Sequence, residues 1–112
     1  MEPLSEESVF AAGRALLLEE GRISLCISSD GIEIKFPATR RIAAYLDVPH
    51  YYVLPYFAGM EAGGLLNRVE RVGISTTPAG SKKLLTGMSA EETARARTIL
   101  GPNMLSALLQ SL

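Results

Sequence analysis

Residues 39–68 read TRRIAAYLDVPHYYVLPYFAGMEAGGLLNR. Ile42, Ala43 and Leu46 fall on one helical face, so the spacing predicts a short helix over 39–47 with Arg40 and Arg41 at its start. Asp47-Val48-Pro49 reads as a turn, and Pro49 suits the first position of a second helix over about 49–62, ended by Gly63-Gly64. Two helices joined by three or four residues form a helix-turn-helix candidate. Pro55 lies inside the second span. In a helix interior, proline removes a hydrogen bond and crowds the carbonyl four residues back, at about 3 kcal/mol. Either the helix kinks there, or it begins nearer Leu54 and leaves the tyrosines in the turn.

Upstream, Ser5-Glu6-Glu7 is a helix start, with a hydroxyl at the cap and acids in the first turn. Val9, Phe10, Gly13, Leu16 and Leu17 recur at helical spacing, which predicts a helix over about 5–20 ended by Gly21. The period then changes to two. Ile23, Leu25 and Ile27 alternate with small polar residues; Ile32, Ile34 and Phe36 alternate with Glu33 and Lys35. A turn closed at Asp30-Gly31 sets Ile27 opposite Ile34 and Leu25 opposite Phe36, with both apolar sides facing the same way. Cys26 falls on the other side and reads as an inert small side chain.

Downstream, Leu65, Leu66, Val69, Val72 and Ile74 suggest short strands, and Gly73 allows a tight turn. Thr77-Pro78 is a cap followed by a proline at the first helical position, and that helix carries Lys82 and Lys83. Ser89-Ala90-Glu91-Glu92 is a capping box opening another helix, which Gly101-Pro102 breaks. The tail then puts Leu105, Leu108, Leu109 and Leu112 on one stripe.

With 112 residues the chain accommodates one domain and a short appendage. Apolar residues make up 47% and charged residues 21%, a globular balance rather than a disordered one. No apolar run is long enough to span a bilayer and no leader pattern is present, so a membrane partner is not expected. One cysteine and one histidine, Cys26 and His50, cannot build a disulfide or a zinc site, so no metal or cofactor is expected and the setting is read as reducing and cytoplasmic. Catalysis is not expected either, because there is no phosphate-binding glycine loop after a strand, no nucleophile elbow and no close His/Asp/Glu cluster. The net charge of −1 is unevenly spread: residues 1–34 sum to −5, residues 35–83 to +4 and residues 84–112 to zero. The basic middle coincides with the helix-turn-helix candidate, and local basic clusters, not net charge, decide phosphate binding.

Residues 42–80 resemble the winged helix-turn-helix family of prokaryotic transcription regulators. Ile42-Ala43-Ala44-Tyr45-Leu46-Asp47-Val48 looks like the family's second helix and turn, and Val53, Phe57 and Met60 fall where its third helix faces the core. Glu61-Ala62-Gly63-Gly64-Leu65-Leu66-Asn67-Arg68 resembles the exit into the first wing strand, and Ile74-Ser75-Thr76-Thr77-Pro78-Ala79-Gly80 resembles the close of the wing. The resemblance implies an α+β fold, a winged helix-turn-helix domain over 1–88 with an added N-terminal β-hairpin, and a C-terminal helical extension over 89–112.

By position, the resemblance assigns His50, Tyr51, Tyr52, Leu54, Pro55 and Tyr56 to the face of the third helix that enters a major groove. None is an Arg, Lys, Asn or Gln, the side chains that read bases in matched pairs. Duplex DNA is then expected to be held mainly through phosphates by Arg40, Arg41, Arg68, Arg71, Lys82 and Lys83. About four to six such contacts give a log–log salt slope of about −4 to −5. The same resemblance implies a homodimer through Leu105, Leu108, Leu109 and Leu112. The expected function is a small DNA-binding transcription regulator. The alternative is a winged-helix protein-interaction or assembly module, with Tyr51, Tyr52 and Tyr56 facing a partner. No separate ligand-sensing domain fits in the chain, and the sequence identifies no small-molecule effector.

Overall fold

Ser5 caps the first helix, and its side chain accepts from the Ser8 backbone N–H while Ser8 Oγ accepts from Ser5 N–H, a reciprocal box. In the computed structural model, which describes residues 3–112, helix α1 spans Glu6–Glu20 and closes on Gly21 in the left-handed conformation. Then follow β1 (Leu25–Ser28), β2 (Gly31–Phe36), α2 (Thr39–Leu46), a 3₁₀ turn (His50–Tyr52), α3 (Leu54–Ala62), β3 (Leu66–Val69), β4 (Gly73–Thr76), α4 (Pro78–Thr86), α5 (Ala90–Leu100) and α6 (Pro102–Gln110). The fold is α+β: six helices and one four-stranded antiparallel sheet among the described residues, in the order β1-β2-β4-β3. No helix among these residues is long and apolar enough to cross a membrane.

The hairpin register differs from the expectation. Leu25 pairs with Ile34 and Ile27 with Ile32, so the two-residue loop is Ser29-Asp30 rather than Asp30-Gly31. A slip of two residues preserves the faces, because side chains alternate with period two. Ile32, Ile34 and Phe36 are therefore still buried. Strand β1 is covered less well, and Ile27 remains 64% exposed.

Strands β2 and β4 form only a short ladder, Lys35 with Ser75 and Phe36 with Ile74. Beyond it, buried side chains continue the connection. Ile34 N–H donates to Thr76 Oγ1 at 2.8 Å, Thr76 Oγ1 and Ser81 Oγ lie 2.7 Å apart, and Ser81 Oγ donates to the Ile32 carbonyl at 2.5 Å. Since Ser81 gives its proton to Ile32, the Thr76 hydroxyl donates to Ser81, and the three bonds polarise one another in sequence. This chain locks the hairpin, β4 and α4 together.

Close approaches fix two glycines. A Cβ on Gly13 would sit 2.1 Å from the ring of Phe36, so α1 can cross the sheet only where it lacks a side chain. A Cβ on Gly80 would sit 2.0 Å from the Leu65 carbonyl oxygen. Arg14, only 9% exposed, donates to the Leu84 and Lys83 carbonyls at 2.9 and 3.3 Å, placing a cation at the C-terminal end of α4.

The main core gathers Val9, Phe10, Ile34, Phe36, Ile42, Val53, Phe57, Met60 and Leu66. Helices α5 and α6 fold back onto α1 through a second cluster of Leu18, Ala96 and Leu105, while Leu108 enters the main core. Residues 89–112 thus share the core of the preceding residues.

Candidate nucleic-acid interface

Pro55 decides the geometry of the turn between α2 and α3. Asp47 closes α2 in the left-handed conformation, Pro49 is extended, and His50–Tyr52 form a single 3₁₀ turn. Helix α3 begins at Leu54 with Pro55 in its first turn, where a missing N–H costs nothing. The expectation of one helix from 49 to 62 is corrected accordingly; the shorter start is the one realised, and no kink is needed.

This moves His50, Tyr51 and Tyr52 off α3, while Tyr56 stays on it. Tyr51 and Tyr52 lie in the 3₁₀ turn, 64% and 48% exposed, with their rings edge to face at 4.7 Å. His50 shares a 2.6 Å hydrogen bond through Nε2 with Thr39 Oγ1, so one of its ring nitrogens is engaged in joining the turn to the start of α2. Tyr56 is partly buried against the main core. What α3 itself exposes is Leu54, Pro55, Ala58 and Ala62, a smooth apolar stripe, while Val53, Phe57 and Met60 are fully buried. None of the exposed four carries a hydrogen-bonding side chain.

The cations divide into two sets. Arg41 pairs with Glu20, Arg68 with Glu61 at 3.0 Å, and Lys83 with Glu7 at 2.5 Å. Lys83 also lies over the Phe10 ring, 5.5 Å from its centre, which holds it against α1 and away from the β3–β4 turn. Lys82 lines a groove with Ile27, Pro78 and Met104, on the hairpin and α6 side. The structure therefore does not gather Lys82 and Lys83 with the other bases. Among the described residues, Lys35, Arg40, Arg71 and Lys82 make no ion pair. Exposed pairs are worth only about 0–1 kcal/mol, so Arg41 and Arg68 can exchange their partners at little cost.

Three of the bases meet in one place. Between the β3–β4 turn and the start of α2 lies an open cleft of about 510 Å³, lined by Lys35, Thr39, Arg68 and Arg71 among others. Arg71 stands at the turn with a positive φ of 67° and lines the cleft. No side chain caps the N-terminus of α2, and Ala38 and Thr39 at that start border the same cleft, which Glu70 also lines. Arg40 occupies the second position of that helix and is exposed. Lys35 and Thr39 were not among the residues assigned from the sequence. Lys35 could have been found from its outward place at the end of the second strand, one residue before the apolar Phe36.

The leucine stripe is also redistributed. Leu105 and Leu108 are 2% and 3% exposed and pack within their own chain, so neither is free to contact a second copy. Leu109 reaches the surface, and Leu112 is partly covered by the main core. A stripe this short does not make a stable helix alone, and two of its four leucines, Leu105 and Leu108, pack within the chain.

No family model matches the chain, and neither does any curated protein or solved structure. Among the described residues no group of three or more His, Cys, Asp or Glu side chains is placed to hold a metal ion.

Proposed function

We propose that this chain is a winged helix-turn-helix protein that binds duplex DNA through the phosphate backbone and acts as a small transcription regulator. The order of elements supports the fold. The hairpin β1–β2 lies between α1 and α2, where the family usually has a single strand; the pair α2–α3 follows, and β3 and β4 return to the sheet with β4 beside β2. On this reading β3 and β4 are the wing, and β1 is an addition on the sheet's outer edge.

The observation that carries DNA binding is the cleft where Lys35, Arg68 and Arg71 converge on the uncapped start of α2, beside Arg40. Three cations beside the start of a helix suit a phosphate, and contacts of this kind position a protein on a duplex without reading its sequence. The bare exposed stripe of α3 supports weak base selection: Leu54, Pro55, Ala58 and Ala62 can touch thymine methyls but offer bases no donor or acceptor.

The same stripe favours a second reading, a protein-interaction module. Small apolar side chains next to the exposed Tyr51–Tyr52 pair form a surface onto which another protein could pack. Fluorescence anisotropy with a labelled random duplex separates the two readings. DNA binding predicts association at low salt that is lost in Arg40→Ala/Arg71→Ala. No association at about 50 mM salt would reject DNA binding and leave the module.

A further inference from the structure

A second cleft adjoins the first. It lies between the end of α1 and the first turn of α2, has a volume of about 340 Å³, and shares Lys35, Phe36 and Ala38 with the cleft beside the β3–β4 turn. Two backbone bonds build it. Gly21 turns the chain at the end of α1 with a φ of 69°, and Arg22 N–H then donates to the Leu17 carbonyl at 3.4 Å. Two residues on, the Ser24 carbonyl accepts from Lys35 N–H at 3.0 Å, which holds the segment carrying Arg22 against the end of β2. Arg41, in the first turn of α2, lines the same space and pairs there with Glu20. The cleft thus sets Arg22, Lys35 and Arg41 against one carboxylate. Counted by segment, Arg22 belongs to the acidic front of the chain; folding carries it to the basic side. The cleft between α1 and α5 has the reverse balance, with Glu19, Glu91 and Glu92 against Arg95.

We propose that this second cleft is a subsite for a backbone phosphate, the neighbour along the same DNA strand of the phosphate held by Lys35, Arg68 and Arg71. The assignment rests on the DNA-binding reading above and extends it to Arg22, which lies outside the stretch 42–80 that carries the family resemblance. Lys35 stands between the two clefts, so a strand crossing the β2–α2 connection meets cations on both sides of it. A small anion fills one cleft, whereas a polyanion uses both. Among the described residues Arg22 makes no ion pair, and it is exposed. The side chains of Arg41 and Glu20 are 49% and 36% exposed, and a pair so open to water is weak. A phosphate offers the guanidinium the same two-oxygen edge as a carboxylate. Glu20 is therefore the anion that an incoming phosphate displaces from Arg41.

The test is a salt titration of the intact chain with a labelled random duplex, followed by anisotropy. One further phosphate makes the log–log slope steeper by about one unit than the first cleft alone gives, and Arg22→Ala should remove that unit and weaken binding about fivefold at about 100 mM salt. Glu20→Gln frees Arg41 and should tighten binding about two- to fivefold. Glu19→Gln removes the same charge one residue away, beside the acidic cleft, and should tighten it less. All three side chains are exposed, so the variants should keep their circular dichroism. Replacing chloride by inorganic phosphate at equal ionic strength should leave binding nearly unchanged. If Arg71→Ala weakens binding but Arg22→Ala does not, the subsite is overturned and the DNA-binding reading stands. Equal gains in Glu20→Gln and Glu19→Gln would reduce the effect to bulk charge and overturn the displacement of Glu20. Loss of DNA to inorganic phosphate in the wild type but not in Arg22→Ala would assign the cleft to a small anion and overturn the strand. No binding by any of these proteins rejects the DNA-binding reading and the subsite with it.

Discussion

His50 Nε2 and Thr39 Oγ1 lie 2.6 Å apart, and this bond ties the 3₁₀ turn to the first residue of α2. It fixes the direction in which the chain leaves the turn, and with it the start of α3. Replacing either residue by alanine should cost about 1 kcal/mol in urea unfolding, and the double variant should cost little more than either single one. Independent, additive losses would mean that the bond does not form.

Pro55 gives a prediction of opposite character. Inside a helix running from 49 to 62, replacing it by alanine would relieve about 3 kcal/mol of strain. In the first turn of α3 it removes no hydrogen bond, so Pro55→Ala should change stability by less than about 0.5 kcal/mol. Urea unfolding of the two proteins decides, and a large stabilisation would contradict the observed start of the helix.

Much of the fold is legible in the residues themselves because local chemistry sets it. Ser5, Thr77 and Ser89 each accept from a backbone N–H at a helix start, as their positions predict. The hairpin register is not legible to that degree, since loops closed at Ser29-Asp30 or Asp30-Gly31 give the same buried faces. The interface is less legible still. Which cations are free depends on Glu20, Glu61 and Glu7, two of them far away in sequence from the bases they pair with, and only folding brings them together. The leucine stripe shows the same limit: periodicity identifies the face of α6 but not whether its own chain covers it.

Glycine 80 should be intolerant of a side chain. Its Cβ would meet a backbone carbonyl, that of Leu65, which cannot rotate away as a side chain can. Gly80→Ala should therefore destabilise by about 1–3 kcal/mol, with the ring of Phe36 imposing a similar cost on Gly13→Ala. Thermal unfolding measures both, and an unchanged midpoint for Gly80→Ala would refute the close approach.

The buried chain from Ile34 through Thr76 and Ser81 to Ile32 predicts a third kind of loss. Thr76→Val leaves the Ile34 N–H without its acceptor, and Ser81→Ala leaves the Ile32 carbonyl without its donor. Each should cost about 1–3 kcal/mol, the range for a buried polar group left unpaired. Hydrogen exchange at Ile34 should accelerate in Thr76→Val; unchanged protection there would argue against the bond.

On the proposed reading, phosphates held by Lys35, Arg40, Arg68 and Arg71 carry the binding to DNA. The most direct measurement is the dissociation constant for a labelled random duplex from about 50 to 200 mM salt. Four phosphate contacts predict a log–log slope of about −3 to −4, reduced by about one unit in Arg71→Ala. A second duplex of unrelated sequence should bind with nearly the same constant. No binding at the lowest salt, or binding insensitive to salt and to Arg71→Ala, would contradict the account.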